Sequence, residues 1–264
     1  MLRLLTYRRL GWGWLLLLSA CSQVVTLDLD EAERQLVVEA LLTDEGQQVI
    51  NLKQSASFYQ SAQDPVQLAT VTLAGPGGYR GTFTYDAGGN YVLDYRPLTS
   101  GQYELTIVEN GQTYTSSMTF PSPVELDSTS YEIDLTSAGF SAAVVFVDDE
   151  AGVDNYYRVR VAVNGDFLDR PYTLFTDTGL DREDGSYFGS PVYLGTGIES
   201  GDTITLQLQS LSVGAYEYYQ ELSRALNSSN TSGAPFNPAG NLTGENVLGF
   251  FGGMRFDTLS YIVP

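Results

Sequence analysis

The side chains in this sequence able to do chemistry are few in kind, and carboxylates dominate them. One acidic run, Asp177-Thr178-Gly179-Leu180-Asp181-Arg182-Glu183-Asp184-Gly185, places Asp177, Asp181 and Asp184 close enough along the chain for several oxygens to converge. Calcium takes about six to eight oxygen ligands, so the run is a candidate Ca²⁺ loop. Its spacing is not that of an EF-hand and Arg182 sits inside it, so a solvated turn is the favoured reading and no metal is assigned. Asp148-Asp149-Glu150, followed by Asp154 and Asn155, is a second oxygen-rich group and reads as the charged end of a hairpin. With 32 acidic residues in the chain, pairs of carboxylates arise by chance, and no glycosidase-type pair stands out. The chain has no histidine, which removes Ser-His-Asp and Cys-His nucleophile pairs, an imidazole base and His-ligated zinc or iron. No glycine-rich segment joins a strand to a helix in a phosphate-cradling pattern. The expectation is a protein without catalytic residues.

Cys21 is the sole cysteine. Arg3, Arg8 and Arg9 precede an uncharged apolar stretch at residues 11–18, the layout of a secretory signal. At about 1.5 Å per residue that stretch is too short to cross a hydrocarbon core of about 30 Å as a permanent helix. It ends in Leu18-Ser19-Ala20-Cys21, which looks like a bacterial lipobox: small residues at the cleavage site, then the thiol that receives diacylglycerol. A free thiol in an exported chain lacks a pairing partner, whereas a lipidated one needs none. Residues 1–20 are therefore read as a lipoprotein signal peptide, with covalent lipid on Cys21 as the only attached group and no other cofactor. Each buried methylene contributes about 0.8 kcal/mol, so more than one acyl chain is needed for stable anchoring. The resemblance to bacterial lipoproteins implies three.

Removal of the signal leaves 244 of the 264 residues and takes three basic residues but no acidic one, moving the formal charge from −19 to −22. Such a body repels phosphate backbones and anionic headgroups. It argues against nucleic-acid binding and leaves the lipid as the membrane link. Both tryptophans, Trp12 and Trp14, lie in the signal. Residues 21–34 read as an acidic, lipidated tether.

From residue 35 onward the apolar residues alternate with period two. Tyr91, Leu93 and Tyr95 share one face, as do Tyr103, Leu105 and Ile107, the signature of half-buried antiparallel strands. Asn110-Gly111 suits a type I′ hairpin, which needs positive φ at both positions. Strands are expected near 35–43, 47–54, 66–74, 79–85, 89–96, 101–109 and 112–120, an immunoglobulin-like or transthyretin-like β-sandwich over residues 35–121. Pro121-Ser122-Pro123 then interrupts the pattern, because proline donates no ladder hydrogen bond.

The second half, residues 122–264, repeats the theme. A strand at 140–147 is apolar on both faces and is expected to be central. The next, at 156–163, turns Tyr157, Val159 and Val161 inward and Arg158 and Arg160 outward, and Asn164-Gly165 closes a second hairpin. Further strands are expected near 126–135, 167–176, 186–194, 202–212 and 254–262. A helix near 215–226 sets Tyr219, Leu222 and Leu226 on one side, with Tyr216, Tyr218 and Tyr219 read as packing residues. The fold class is thus mainly β: two tandem β-sandwich-like domains, the second with one α-helix and a long ordered loop over 227–246.

The order of these pieces resembles the uncharacterised DUF4249 family of Bacteroidota lipoproteins. The resemblance rests on the lipobox, Leu36-Val37-Val38-Glu39-Ala40, Gly101-Gln102-Tyr103-Glu104-Leu105 before Gly111-Gln112-Thr113-Tyr114, Asp154-Asn155-Tyr156-Tyr157-Arg158, and the Asp177 run. It rests most specifically on Phe236-Asn237-Pro238 with Gly240-Asn241, followed by Val247-Leu248-Gly249-Phe250-Phe251. It implies an outer-membrane, lipid-anchored accessory protein of a TonB-dependent transporter, facing either the periplasm or the cell surface. The loop is expected to pack on the sheet or to meet a partner, with Phe236, Asn237, Pro238 and Asn241 as the candidate partner-loop residues. The alternative is a glycan- or peptide-binding surface lipoprotein.

Overall fold

The computed structural model describes residues 33–56, 62–123, 125–134, 140–147, 152–168, 173–178, 188–196, 198–228 and 236–263. Cys21, the signal and the tether up to residue 32 lie outside the described residues, as do residues 148–150, Asp181 and Asp184.

Period-two patterning becomes strands throughout. The first half holds β1 (Leu36–Thr43), β2 (Gln48–Gln54), β3 (Asp64–Pro65), β4 (Thr70–Gly75), β5 (Tyr79–Thr82), β6 (Thr84–Tyr85), β7 (Asn90–Leu93), β8 (Gly101–Glu109) and β9 (Gln112–Phe120). The second holds β10 (Leu126–Asp134), β11 (Phe140–Val147), β12 (Tyr156–Val163), β13 (Asp166–Phe167), β14 (Thr173–Thr176), β15 (Phe188–Thr196), β16 (Thr203–Leu211) and β17 (Val247–Ile262). One α-helix, α1 (Val213–Ser228), stands among the described residues and runs two residues further at each end than expected. Both hairpin turns form as read: Asn110 and Gly111 have φ of 49° and 80°, and Asn164 and Gly165 have φ of 52° and 94°. The expected strand at 167–176 divides instead into β13 and β14, both paired with β12.

These strands make three sheets. A ten-stranded sheet runs β13-β12-β16-β17-β1-β2-β7-β6, with β14 beside β12 and β3 beside β2; a four-stranded sheet runs β5-β4-β8-β9; a three-stranded sheet runs β10-β11-β15. The apolar-on-both-faces strand β11 is central in its sheet, as its composition demands. Leu36, Val38, Ala40, Leu42, Ile50, Leu52 and Tyr91 of the large sheet pack on Val71, Leu73, Tyr103, Leu105, Ile107 and Phe120 of the four-stranded sheet. Tyr157, Val159, Val161, Ile204, Leu206 and Leu208 pack on Ala143, Val145, Val147, Val192 and Leu194 of the three-stranded sheet. Two sandwich cores therefore share one long sheet.

β17 makes that sheet continuous. It pairs parallel with β1 from Leu36↔Val247 to Thr43↔Met254, and antiparallel with β16 from Thr203↔Ile262 to Leu211↔Met254. The strand begins seven residues earlier than its expected start at 254, because Gly249, Gly252 and Gly253 hide its apolar alternation. Those glycines answer crowding. At Gly249, with φ of 100°, a Cβ would lie 1.9 Å from the Val38 carbonyl oxygen; at Gly252 it would meet Ala215 of α1 at 2.8 Å; at Gly253 it would meet Phe120 at 2.7 Å. Helix and sandwich core thus press on opposite faces of the same short stretch.

Arg255 ties the stretch to the connection between the halves. It is 7% exposed; its Nε donates to the Pro121 carbonyl at 2.7 Å and its Nη2 to the Leu98 carbonyl at 2.9 Å. Its Nη1 lies 3.6 Å from the Asp44 carboxylate, and the guanidinium sits 4.8 Å from the Phe120 ring centroid.

Candidate functional site

The face of the large sheet turned away from both sandwich cores carries α1. Ala215, Tyr218, Tyr219 and Leu222 recur at helical spacing on one side, while Glu217, Gln220 and Arg224 are exposed on the other, a period of about 3.6 residues. The covered side rests on Leu41, Tyr156, Leu174, Leu211, Phe250, Met254 and Phe256. Tyr218 stacks on Phe250 with ring centroids 4.1 Å apart, Tyr219 meets Phe250 edge-on at 5.8 Å, and Tyr216 tilts against Tyr156 at 5.2 Å. All three helix tyrosines are packing residues, as read.

Arg158 belongs to the outward face of β12, yet α1 covers it and leaves it 9% exposed. Its guanidinium lies 4.0 Å from the Tyr219 ring centroid. Its Nε donates to Gln209 Oε1, and its Nη2 approaches Met254 Sδ at 3.6 Å. Gln209 in turn donates to Gln207 Oε1 at 2.7 Å. A guanidinium is weakly hydrated and stacks well on rings, which suits a cation held beneath a helix.

Two grooves flank α1. The sheet-side groove, about 400 Å³, is lined by Glu39, Leu41, Val49 and Asn51 of β1 and β2, by Tyr218, Tyr219 and Leu222 of α1, and by Phe250. Burial first, then the neighbouring Glu39 carboxylate and Tyr219 hydroxyl, push the Tyr218 hydroxyl above its ordinary pKa. The loop-side groove, also about 400 Å³, lies between Gly214, Glu217, Gln220, Glu221 and Arg224 of α1 and Ala239, Gly240 and Asn241. There Glu221 Oε2 accepts from the Ala239 N–H at 2.5 Å.

The expected partner-loop residues divide between two environments. Phe236, at 46% exposure, and Asn237 are at the surface, and Pro238 is half-buried. Asn241 is engaged by its own sheet: its Nδ2 donates to the Phe251 carbonyl at 2.7 Å, its Oδ1 accepts from the Phe251 N–H at 2.8 Å, and its carbonyl accepts from Ser116 Oγ at 2.8 Å. Thr243 adds reciprocal backbone bonds with Thr115 at 2.7 and 3.0 Å. The described part of the loop, residues 236–246, is therefore pinned to β17 and β9.

Asp177 is 4% exposed, and its carboxylate accepts from the Asn155 N–H at 2.6 Å and the Tyr157 hydroxyl at 3.1 Å. It fastens the end of β14 to the start of β12. Among the described residues no group of three His, Cys, Asp or Glu side chains is placed to hold a metal ion. The sheet-side groove was not singled out in the sequence. Its signal is the outer face of β1, where Val37 and Leu41 flank Glu39, too apolar for a face open to water.

These features define a mainly β protein in which two sandwiches share one sheet and a single described α-helix raises a grooved ridge on its outer face. The family described as a domain of unknown function, DUF4249, matches residues 23–260, and the chain belongs to it. No curated protein matches the chain.

Proposed function

We propose that this protein is a non-catalytic, lipid-anchored envelope protein that serves as an accessory subunit of an outer-membrane complex, with a TonB-dependent transporter as its partner. The observation that carries the reading is the α1 ridge: a helix with a groove on each side, set on the face opposite both cores, one groove walled by Ala239, Gly240 and Asn241 of the loop. Recognition commonly sits on elements raised from a rigid scaffold, and β17 ties this scaffold together. The Cys21 lipobox supplies the anchor in this reading, and the charge of −19 before processing leaves lipid as the membrane link. Affinity purification from solubilised outer membranes tests it. A barrel transporter recovered in stoichiometric amount supports the reading; a protein that always purifies alone overturns it.

A second reading, a surface lipoprotein that binds peptide or glycan, draws on the aromatic lining of the sheet-side groove. Of its two forms the peptide is favoured. Sugar stacking needs open ring faces, and here Phe250 covers one face of Tyr218 while Arg158 covers Tyr219. A glycan array and a peptide array probed with the same protein discriminate the two.

A further inference from the structure

We propose that the sheet-side groove receives a segment of a partner protein that carries a lysine or arginine between apolar side chains, with the cation set against Glu39. The inference rests on the partner-binding reading above and names the chemistry of what the α1 ridge binds.

The groove is apolar apart from two side chains. Leu41, Val49, Leu222, Tyr218, Tyr219 and Phe250 form its walls, and Val49 is 45% exposed there. Asn51 is already engaged, donating from Nδ2 to Asn90 Oδ1 at 2.7 Å. Glu39 is exposed and has no hydrogen bond or ion pair among the described residues. Lys53, on the same face of β2, stands opposite Val37 rather than Glu39 and outside the groove lining. A carboxylate amid apolar walls is the group that a desolvated cation would complement.

The neighbouring packing shows that this aromatic set accepts such a cation, since Arg158 lies 4.0 Å from the Tyr219 centroid on the buried side. The net charge of −19 draws cationic segments toward the surface over a Debye length of about 8 Å at physiological salt. The same charge disfavours an anionic membrane surface as the occupant. β1 and β2 are interior strands, each paired on both sides. A bound segment is therefore held by its side chains and not by adding a strand, and about 400 Å³ is at the small end for a ligand pocket.

The test is a random-heptapeptide array probed with the detergent-solubilised full chain, beside Glu39→Gln, Val49→Lys and, as a control outside the groove, Lys53→Gln. Peptides bound by the parent should be enriched in Lys or Arg flanked by apolar residues. They should weaken at least fivefold with Glu39→Gln and with Val49→Lys, weaken in high salt, and stay unchanged with Lys53→Gln. Glu39→Gln should leave the melting temperature unmoved, because the side chain supports no described contact in the fold. An array without basic enrichment, or one that Glu39→Gln reads identically, overturns the inference. Purification of the Glu39→Gln chain separates the two levels. A transporter recovered at parental yield overturns the cation assignment and leaves the accessory reading standing, while absence of any transporter from the parent overturns the accessory reading itself.

Discussion

The side-chain amide of Asn241 pairs with both backbone groups of Phe251, donating to its carbonyl at 2.7 Å and accepting from its N–H at 2.8 Å. Phe251 points these groups toward the edge of β17 that β16 occupies only as far as Met254. Ser212 bridges the next step, with its N–H on the Gly253 carbonyl at 2.9 Å and its hydroxyl accepting from the Gly253 N–H at 3.0 Å. Beyond Ser212 the chain leaves as α1, and Asn241 returns from a distant loop to take the place of a strand.

Asn241→Ala should therefore destabilise the fold by about 3 kcal/mol, since it leaves a donor and an acceptor of a fully buried residue without partners. Urea denaturation measures this directly. Asn237→Ala, at an exposed position of the same loop, should change stability by no more than about 0.5 kcal/mol. Equal effects from the two would mean that Asn241 is not a ladder residue.

Arg255→Met should cost about 3 kcal/mol, because the carbonyls of Leu98 and Pro121 lose a charged donor and Asp44 loses its counter-ion. Arg255→Lys should recover little of it, as one ammonium cannot match the fork that reaches two carbonyls and a carboxylate. Thermal unfolding, at about 2–4 °C per kcal/mol for a chain of this size, reads both variants.

Gly249→Ala should lose at least about 3 kcal/mol or fail to fold, since a Cβ would meet the Val38 carbonyl oxygen at 1.9 Å and the residue holds φ of 100°. Because the clash falls on the parallel β1–β17 pairing, amide exchange should rise in β1 before it rises in β11. Uniform loss of protection, or none, contradicts the reading of Gly249 as the close-approach position of the β1–β17 pairing.

Alkaline pH should unfold the protein through its tyrosines. Burial is the leading cause that raises Tyr79, Tyr91, Tyr103, Tyr114, Tyr216 and Tyr218 above the ordinary value, with Tyr95 hydrogen bonding adding to the rise at Tyr103. Groups with raised folded values contribute stability that is complete below the unfolded value, about 10 for tyrosine. That stability is lost as pH climbs through the folded values. The urea midpoint should hold steady to about pH 9 and fall steeply by about pH 11. Tyr103→Phe should lower stability at neutral pH, through loss of the bond to the Thr99 carbonyl at 3.2 Å, yet flatten the alkaline fall.

Cys21→Ser tests the anchor. The substituted chain should leave the membrane fraction or accumulate unprocessed, and should no longer take up labelled palmitate. Anchoring that survives the substitution overturns the lipid reading.

Local order along the chain was legible in the residues themselves. Tyr103, Leu105 and Ile107 fell inward because a strand's period is two. Asn110-Gly111 and Asn164-Gly165 turned because both positions of each tolerate positive φ. The helix followed from Tyr219, Leu222 and Leu226 at helical spacing, and β11 was central because it is apolar on both faces. The absence of histidine pruned the chemistry, and the Cys21 segment defined the expected anchor. What the tertiary structure alone decided is how distant segments meet. The pairing of β1 with β17 joins residues about two hundred apart, and no local periodicity encodes a partner at that separation. Three glycines in β17 look like weak strand positions in one dimension, and only the close approach of Val38, Ala215 and Phe120 explains them. Arg158, outward by alternation, is buried because a helix some sixty residues later lies over it. The sheet-side groove exists for the same reason: Glu39 acquires aromatic neighbours only when α1 and β17 fold back across β1.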